Sequence, residues 1–335
     1  MKIAAVIGLV VGALLVVLLI GHYGVAGILQ ALTAIGWSGF AAVVLLHMVL
    51  IGVMGLAWWM VVPQSGTRPG LFMWGRLVRD SASEVLPLSQ VGGYVAGTVA
   101  VARGGVPFAL SAASTIVDVT AELIAQLAYT ALGLVLLDRL RPDNGFARPV
   151  LLGLAAMTVL VLAFLVVQRR GIRLPALLAQ RLSRGWLSAF GGLAATQGHL
   201  HAMHGRRGAV ALCGLIHLAT WIGSGLEIWL ALRFMGIELG VASVLALESL
   251  LYGARSVAFL VPNAVGVQEG AYVALGAVLG LSPETALALS LLKRGRDLAI
   301  GGPALLVWQA IEGRRALRRL DAAPPIALAD PNKGR

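Results

Sequence analysis

Charge is scarce in this sequence. Only 12% of its 335 residues are Asp, Glu, Lys or Arg, against 59% hydrophobic, and the mean hydropathy is +0.88. A water-soluble domain carries roughly 25% charged and 45–50% apolar residues. A chain this poor in charge cannot cover a globule's surface against water, which excludes a soluble fold and a disordered one. Cysteine is nearly absent too. The one cysteine, Cys213, lies in an apolar run, cannot form an intrachain disulfide, and reads as a small packing residue. Also missing are a Walker A loop, G-x-S-x-G, H-E-x-x-H and any C-x-x-C pair, so no nucleotide hydrolysis or common hydrolase chemistry is written in the chain. Acidic residues number 15 against 26 basic ones, a net charge of +11. The basic residues gather in loops, which reads as membrane topology and attraction to anionic headgroups and not as nucleic-acid binding.

What the chain has instead is long apolar runs. Lys2 is followed by an uncharged stretch to Ile20 that is long enough to span and has no cleavage site after it, so it reads as an uncleaved first helix over 3–21. Residues 22–36 read as a short connection. Residues 37–62 form a second span with Trp37, Trp58 and Trp59 at its ends, as interfacial aromatics do. Segments 108–137, 149–167, 208–235, 241–261 and 284–311 complete the long runs. Two stretches differ. Residues 70–106 are rich in Gly, Ser and Ala, carry Arg76, Arg79, Asp80 and Glu84, and are interrupted at Pro87; residues 262–282 are short, Gly-rich and begin at Pro262. Residues 168–207 hold seven Arg and no acid, and the tail holds Arg314, Arg315, Arg318 and Arg319. Both mark the cytoplasmic side. Within 168–207, Leu178, Leu182, Trp186, Phe190 and Leu193 recur at helical spacing, which predicts an amphipathic helix at the membrane interface or against a partner.

The expected fold class is all-α: a polytopic integral membrane helical bundle of about eight spans with Pro/Gly-broken or re-entrant segments. Its organisation is an N-terminal membrane half 1–167, a basic connection 168–207, a C-terminal membrane half 208–311 and a basic tail 312–335. An internal repeat underlies the two halves. Arg79, Pro87, Gly92, Pro107 and Asp118 follow one another at spacings of 8, 5, 15 and 11; Arg255, Pro262, Gly266, Pro283 and Arg294 at 7, 4, 17 and 11. The charge-derived topology makes the halves inverted, as in many transporters with broken helices around a midplane site.

The polar residues inside the spans are the candidate site. At 100° per residue, Ser111, Thr115, Asp118, Glu122, Gln126 and Tyr129 fall within about 80° of one another. A carboxylate at the bilayer centre costs roughly 2.5–3.5 kcal/mol on insertion scales, so this stripe must face a wet cavity or a cationic partner. The last helix offers Ser290, Lys293, Arg294 and Asp297 on one face, with Arg296 pointing elsewhere. The two stripes are expected to pair across the repeat. Such pairing serves either a substrate or proton pathway or a plain ion-pair lock on helix packing. Arg79 and Arg255 precede the broken segments, where free helix N–H groups and a guanidinium suit a phosphate or carboxylate headgroup; the alternative is snorkelling to the interface. Asp80, Glu84 and Gln90 belong to the same candidate substrate-binding set, as does Glu269, which could cap backbone N–H groups or meet a cation. Glu227 and Glu248 are further acids at membrane depth, and His47 and His217 are expected to be satisfied by neighbouring helices. His199, His201 and His204 are not spaced to share a helix face, so no metal site is expected there.

Three stretches then carry a resemblance: GLFMWGRLVRDSASEVLPLSQVGGYVAG, ASTIVDVTAELIAQLAYTALGL, and VPNAVGVQEGAYVALGAVLGL with LKRGRDLAIGGPALLVWQ. Together they resemble the membrane region of lysylphosphatidylglycerol synthases and the wider flippase-like family, most closely the hopanoid-biosynthesis-associated HpnL branch, over most of residues 1–315. Pro262, Gly266 and Glu269 match the family's proline–glycine–glutamate pattern; Tyr94 stands after Gly92-Gly93 where many members carry an acid. The resemblance implies a lipid-translocating domain that handles a hopanoid or hopanoid-linked lipid, and no aminoacyl-transfer domain in this chain. The function expected is thus a lipid transporter or flippase in the bacterial inner membrane, both termini cytoplasmic. It would have membrane lipids and lipid-biosynthesis proteins as partners, and no catalytic residue, cofactor or metal. The rivals are a membrane-embedded lipid transferase using Asp118 and Glu122 as acid and base, and a non-catalytic scaffold for lipid-biosynthesis enzymes.

Overall fold

The computed structural model describes residues 2–63, 66–86, 90–142, 147–170, 193–258 and 261–321. Among them there are twelve α-helices and no strand. In chain order they are α1 (Lys2–Tyr23), α2 (Val25–Ala34), α3 (Gly36–Val61), α4 (Pro69–Val85), α5 (Gln90–Arg103), α6 (Phe108–Leu140), α7 (Ala147–Arg170), α8 (Leu193–Gly205), α9 (Arg207–Phe234), α10 (Val241–Val257), α11 (Val267–Leu279) and α12 (Pro283–Asp321). The protein is an all-α membrane protein. α3, α6 and α9 are each long and apolar enough to cross a bilayer, and α1 with α2 makes a fourth candidate, bent by 92° at Gly24. The stretch 22–36 is therefore not merely a connection: a left-handed Gly24 (φ 87°) turns the chain and lets a second short helix start. Pro87 and nearly all of the amphipathic stretch 178–193 lie outside the described residues.

Local chemistry sets the helix boundaries. Pro69 sits in the first turn of α4, where its missing N–H costs nothing, and Pro107 precedes α6. α11 ends on Gly280 in the left-handed region, and the Ser282 hydroxyl accepts the Thr285 N–H at 3.2 Å to open α12. α12 runs ten residues past the expected end, to Asp321, with Pro303 inside it. Residues 262–282 resolve into a 3₁₀ turn at Pro262–Ala264 followed by α11.

Packing follows a crossed pattern. α4 lies along α5, and α3 packs on both α4 and α9. The long α6 packs on α10 and α9, while the long α12 packs on α4, α11 and α2. One apolar core joins Val43, Leu134, Ile228, Leu247 and Leu289; a second joins Trp58, Phe72, Val101, Val117 and Met203. Trp58 is thus a core residue and not an interfacial anchor: it is fully buried, stands edge-on to Phe72 and donates from Nε1 to Ser114 Oγ at 3.0 Å. A tryptophan sunk this deep needs an acceptor for its N–H, and the neighbouring α6 supplies one. Trp37, 88% exposed, fits the interfacial expectation.

Backbones approach closely where glycine permits it. A Cβ on Gly55 of α3 would stand 2.5 Å from Met73 Cα and 2.9 Å from Met73 N on α4. Backbone atoms cannot move aside, so Gly55→Ala is expected to lower the unfolding midpoint in detergent. Gly214→Ala in α9 has nothing within 4 Å and is expected to leave the midpoint unchanged or raise it, since alanine gains about 1 kcal/mol in a helix interior.

Candidate functional site

α4 is the organising element. Arg76, Arg79, Asp80, Ser83 and Glu84 recur three, four and seven residues apart, so they share one face of the helix. That face meets α6. Arg76 holds Glu122 with both terminal nitrogens (2.8 and 3.2 Å) and Asp80 through Nε (2.7 Å). Arg79 reaches Asp118 Oδ2 at 2.7 Å with one nitrogen and Glu122 with the other, and its guanidinium lies 4.4 Å from the centre of the Tyr94 ring on α5. The tyrosine thus gives Arg79 a π face where an acid would give a charge. Asp118, with no exposed surface, is completed by His217 Nε2 of α9 at 2.9 Å.

A second network centres on α12. Arg296 donates to Glu227 of α9 and to Asp297 Oδ1 (3.0 and 2.6 Å), and His47 Nδ1 of α3 lies 2.8 Å from Glu227. Lys293 pairs with Glu248 of α10 at 2.7 Å, and Tyr272 donates to the same carboxylate. Arg294 bonds Glu269 at 2.7 Å. Glu269 also accepts from Ser290 and, through its other oxygen, from the Gly266 N–H, both at 2.8 Å. Glu269 is therefore both a helix cap and a cation partner, the two alternatives open in the sequence.

Three expectations are corrected here. The acidic stripe of α6 does not pair with the basic residues of α12. α6 packs on α9 and α10 and α12 on α4 and α11, so each stripe meets a nearer partner: Arg76 and Arg79 for one, Glu227, Glu248 and Glu269 for the other. Arg296 does not point away; it is 3% exposed and paired twice. Arg79, 2% exposed with both terminal nitrogens engaged, is not a free headgroup ligand in this state.

Between these networks lies a hollow of about 630 Å³. Of the sequence-derived candidates, Arg79, Asp80, Glu84, Gln90, Glu122, Gln126, Arg255 and Asp297 line it. Asp118 sits behind Arg79, fully buried, and Lys293, Arg294 and Glu269 hold α10, α11 and α12 together outside it. The sequence reading missed His47, Trp221, Tyr252 and Asn263 as lining residues. Trp221 and His217 are one helical turn apart on α9, a spacing that could have linked them. Asn263 carried no signal: it lines the hollow because it and Ala264 take left-handed angles (φ 51° and 44°) at the break before α11.

A second hollow of about 370 Å³ lies between α6, α7, α10 and α11. Its wall is almost wholly apolar, with Leu127, Leu154, Leu250, Ala254 and Leu275 among its residues. Leu123, Gln126, Gly153, Met157 and Ser256 belong to both hollows, so a charged chamber and an apolar groove share a wall. Ligand atoms of Asp118, Cys213 and His217 also fall within 4.8 Å of one another, a donor set of the kind that takes a metal ion, though Asp118 is already committed to Arg79. Sequence spacing does not reveal this set, because Cys213 and His217 are 95 and 99 residues from Asp118.

The family model of the lysylphosphatidylglycerol synthase transmembrane region matches residues 5–302. The chain belongs to this family. No curated protein and no solved structure matches it. Family membership gives the chain a membrane-lipid-related function and agrees with the apolar helices around the chamber.

Three substitutions test these energetics. Glu122→Gln strips two buried arginines of a shared counter-charge and is expected to cost about 3–5 kcal/mol, read as a lower unfolding midpoint in detergent. Arg233→Gln breaks the exposed pair with Glu238 and is expected to stay within about 0.5 kcal/mol of the parent. Ala264→Gly removes a left-handed alanine and is expected to stabilise the break by about 1 kcal/mol, read the same way.

Proposed function

We propose that the chain moves a polar or anionic lipid, a hopanoid or a lipid of hopanoid metabolism, across the bacterial inner membrane without making or breaking a covalent bond. The observation that carries this reading is the shared wall: a chamber lined by both signs of charge opens beside a groove lined by leucine, alanine and methionine. That is the surface an amphiphile needs, headgroup in one and hydrocarbon in the other. In this reading Asp80, Glu84, Gln90, Gln126, Arg255 and Asp297 meet the headgroup, while Arg79 and Glu122 hold each other in the chamber wall. Asp118, Glu269, Lys293 and Arg294 hold the frame.

The repeat enters as part of the proposal. α4 and α10 are 17 residues each, α5 and α11 are 14 and 13, and a long helix follows each pair. The long helix of each unit packs on the first short helix of the other, as a two-fold exchange would have it. A helix of 17 residues is about 25 Å long, short of a hydrocarbon core of about 30 Å, which favours pairs that enter and return. Counted as crossings, α10 and α11 make eight spans with α1, α3, α6, α7, α9 and α12. Counted as a hairpin they leave the same faces cytoplasmic, because two crossings and a return are equivalent in parity. Rocking of one unit against the other would expose the chamber to each side in turn.

The test is a proteoliposome assay with purified protein. Lipid should cross the bilayer, and Ala254→Trp, which fills the groove without touching an ion pair, should slow it at least about tenfold while the unfolding midpoint holds. Absence of movement under every pH and ion gradient would sink the reading. The membrane transferase rival predicts a modified lipid in extracts of expressing cells that vanishes in Asp118→Ala. The pairing of Asp118 and Glu122 with arginines weighs against it, since neither carboxylate is free to move a proton.

A further inference from the structure

Most arginines lining the chamber are saturated. Arg76 and Arg296 each engage Nε and both terminal nitrogens, and Arg79 engages both terminal nitrogens. Arg255 differs. It meets Glu84 through Nη2 alone, 2.8 Å from each carboxylate oxygen, and the same nitrogen lies 3.4 Å from Asn263 Oδ1. Its Nε and Nη1 have no partner among the described residues. A guanidinium normally grips a carboxylate with two parallel N–H bonds; this pair uses one nitrogen, and both two-nitrogen edges of Arg255 (Nε with Nη2, Nη1 with Nη2) become available once Glu84 releases Nη2. It is also the more accessible pair: its side chains are 11% and 22% exposed, against 3% and 0% for Arg79 and Asp118.

A second unmet donor stands nearby. Trp221 Nε1 is shielded from solvent and has no acceptor among the described residues, although the residue lines the same chamber. Its ring meets Tyr252 edge-on at 4.4 Å, and the Tyr252 ring lies 5.9 Å from the Arg255 guanidinium. An indole nitrogen can only donate. The unmet groups of Arg255 and Trp221 are donors, and what they lack is an acceptor with several oxygens.

We infer that Arg255 and Trp221 form an oxyanion subsite of the chamber, selective for a phosphate group, and that the Glu84 carboxylate is its internal stand-in. This rests on the lipid reading above and names the headgroup chemistry within it. A phosphate matches the two-nitrogen edge of Arg255 that Glu84 gives up with Nη2, and supplies a further oxygen for the indole N–H. When it arrives, Glu84 lets go and Arg255 passes from one anion to another without standing uncompensated in the membrane interior. Little else moves, because the end of α4 stays tied to the break by a separate bond: Asn263 Nδ2 donates to the Glu84 carbonyl, not to its side chain, at 2.6 Å.

The experiment is native mass spectrometry of the full purified chain titrated with dipalmitoyl phosphatidylglycerol, with dipalmitoylglycerol, which shares the tails and lacks the phosphate, and with inorganic phosphate as competitor. The wild type should prefer phosphatidylglycerol. Glu84→Gln removes the internal competitor and should tighten phosphatidylglycerol about tenfold while leaving dipalmitoylglycerol unchanged. Arg255→Gln should abolish the preference, and Arg255→Lys should weaken it if the glutamine variant does not fold. Displacement of the lipid by millimolar inorganic phosphate supports the subsite with free phosphate as a ligand; no displacement supports it as a lipid-headgroup site. Glu84→Gln leaving the preference unchanged, or weakening it as much as Arg255→Gln does, would make the pair a structural latch and overturn the inference. Binding of both lipids equally in every variant overturns the subsite and spares the transport reading; binding of neither overturns both.

Discussion

An arginine in hydrocarbon needs its counter-charge close at hand, and in this protein Arg79 has two. Its partners Asp118 and Glu122 lie on a different helix, so the electrostatic demand fixes how α4 sits on α6. Arg76 repeats the demand one turn earlier and shares Glu122. Sharing matters because a carboxylate held by two guanidinia cannot follow either one away. Replacing such a network with apolar side chains often leaves stability unchanged or better. The value of the network therefore lies in alignment: it specifies which short helix faces which long one, in a solvent where apolar surfaces discriminate weakly. The groups around α12 do the same for α9, α10 and α11 through Glu227, Glu248 and Glu269.

Much of the helix pattern was legible because lipid imposes a simple rule on composition. The boundaries of α3, α6 and α9 follow the apolar runs within a few residues, and Pro69, Pro107 and Pro283 mark where helices begin. The α6 stripe was legible for the same reason: a polar face on an otherwise apolar helix has to be buried, and Ser111, Asp118 and Tyr129 are each 0% exposed. The partners were not legible. Helical periodicity reports which residues share a face and says nothing about which neighbour that face meets. A projection weighs only the helix on which Arg296 stands, whereas its place is set by Glu227 on α9, a carboxylate that His47 of α3 also meets.

The break before α11 lies outside what a pattern can forecast. Its angles at Asn263 and Ala264 depend on a bond from Asn263 to the end of α4, 179 residues away in sequence. Strained backbone of this kind persists only where surrounding structure over-determines it. Here the surroundings are the Glu84 carbonyl on one side, the Glu269 cap on the Gly266 N–H on the other, and α1 beneath. A chamber wall built from such a segment can present main-chain groups at a depth where regular helices hide theirs.

The contact with α1 is made backbone to backbone. A Cβ on Gly266 would stand 2.7 Å from Gly12 Cα, and one on Gly12 would stand 2.0 Å from the Val265 carbonyl oxygen. The segment around Gly12 is thus a wedge for one synthesised roughly 250 residues later, a separation that makes this a late-forming contact between the two. During biogenesis α1 must wait in the bilayer, without its partner on that face, until the break before α11 has been inserted. The strained break then closes over it as a keystone closes an arch.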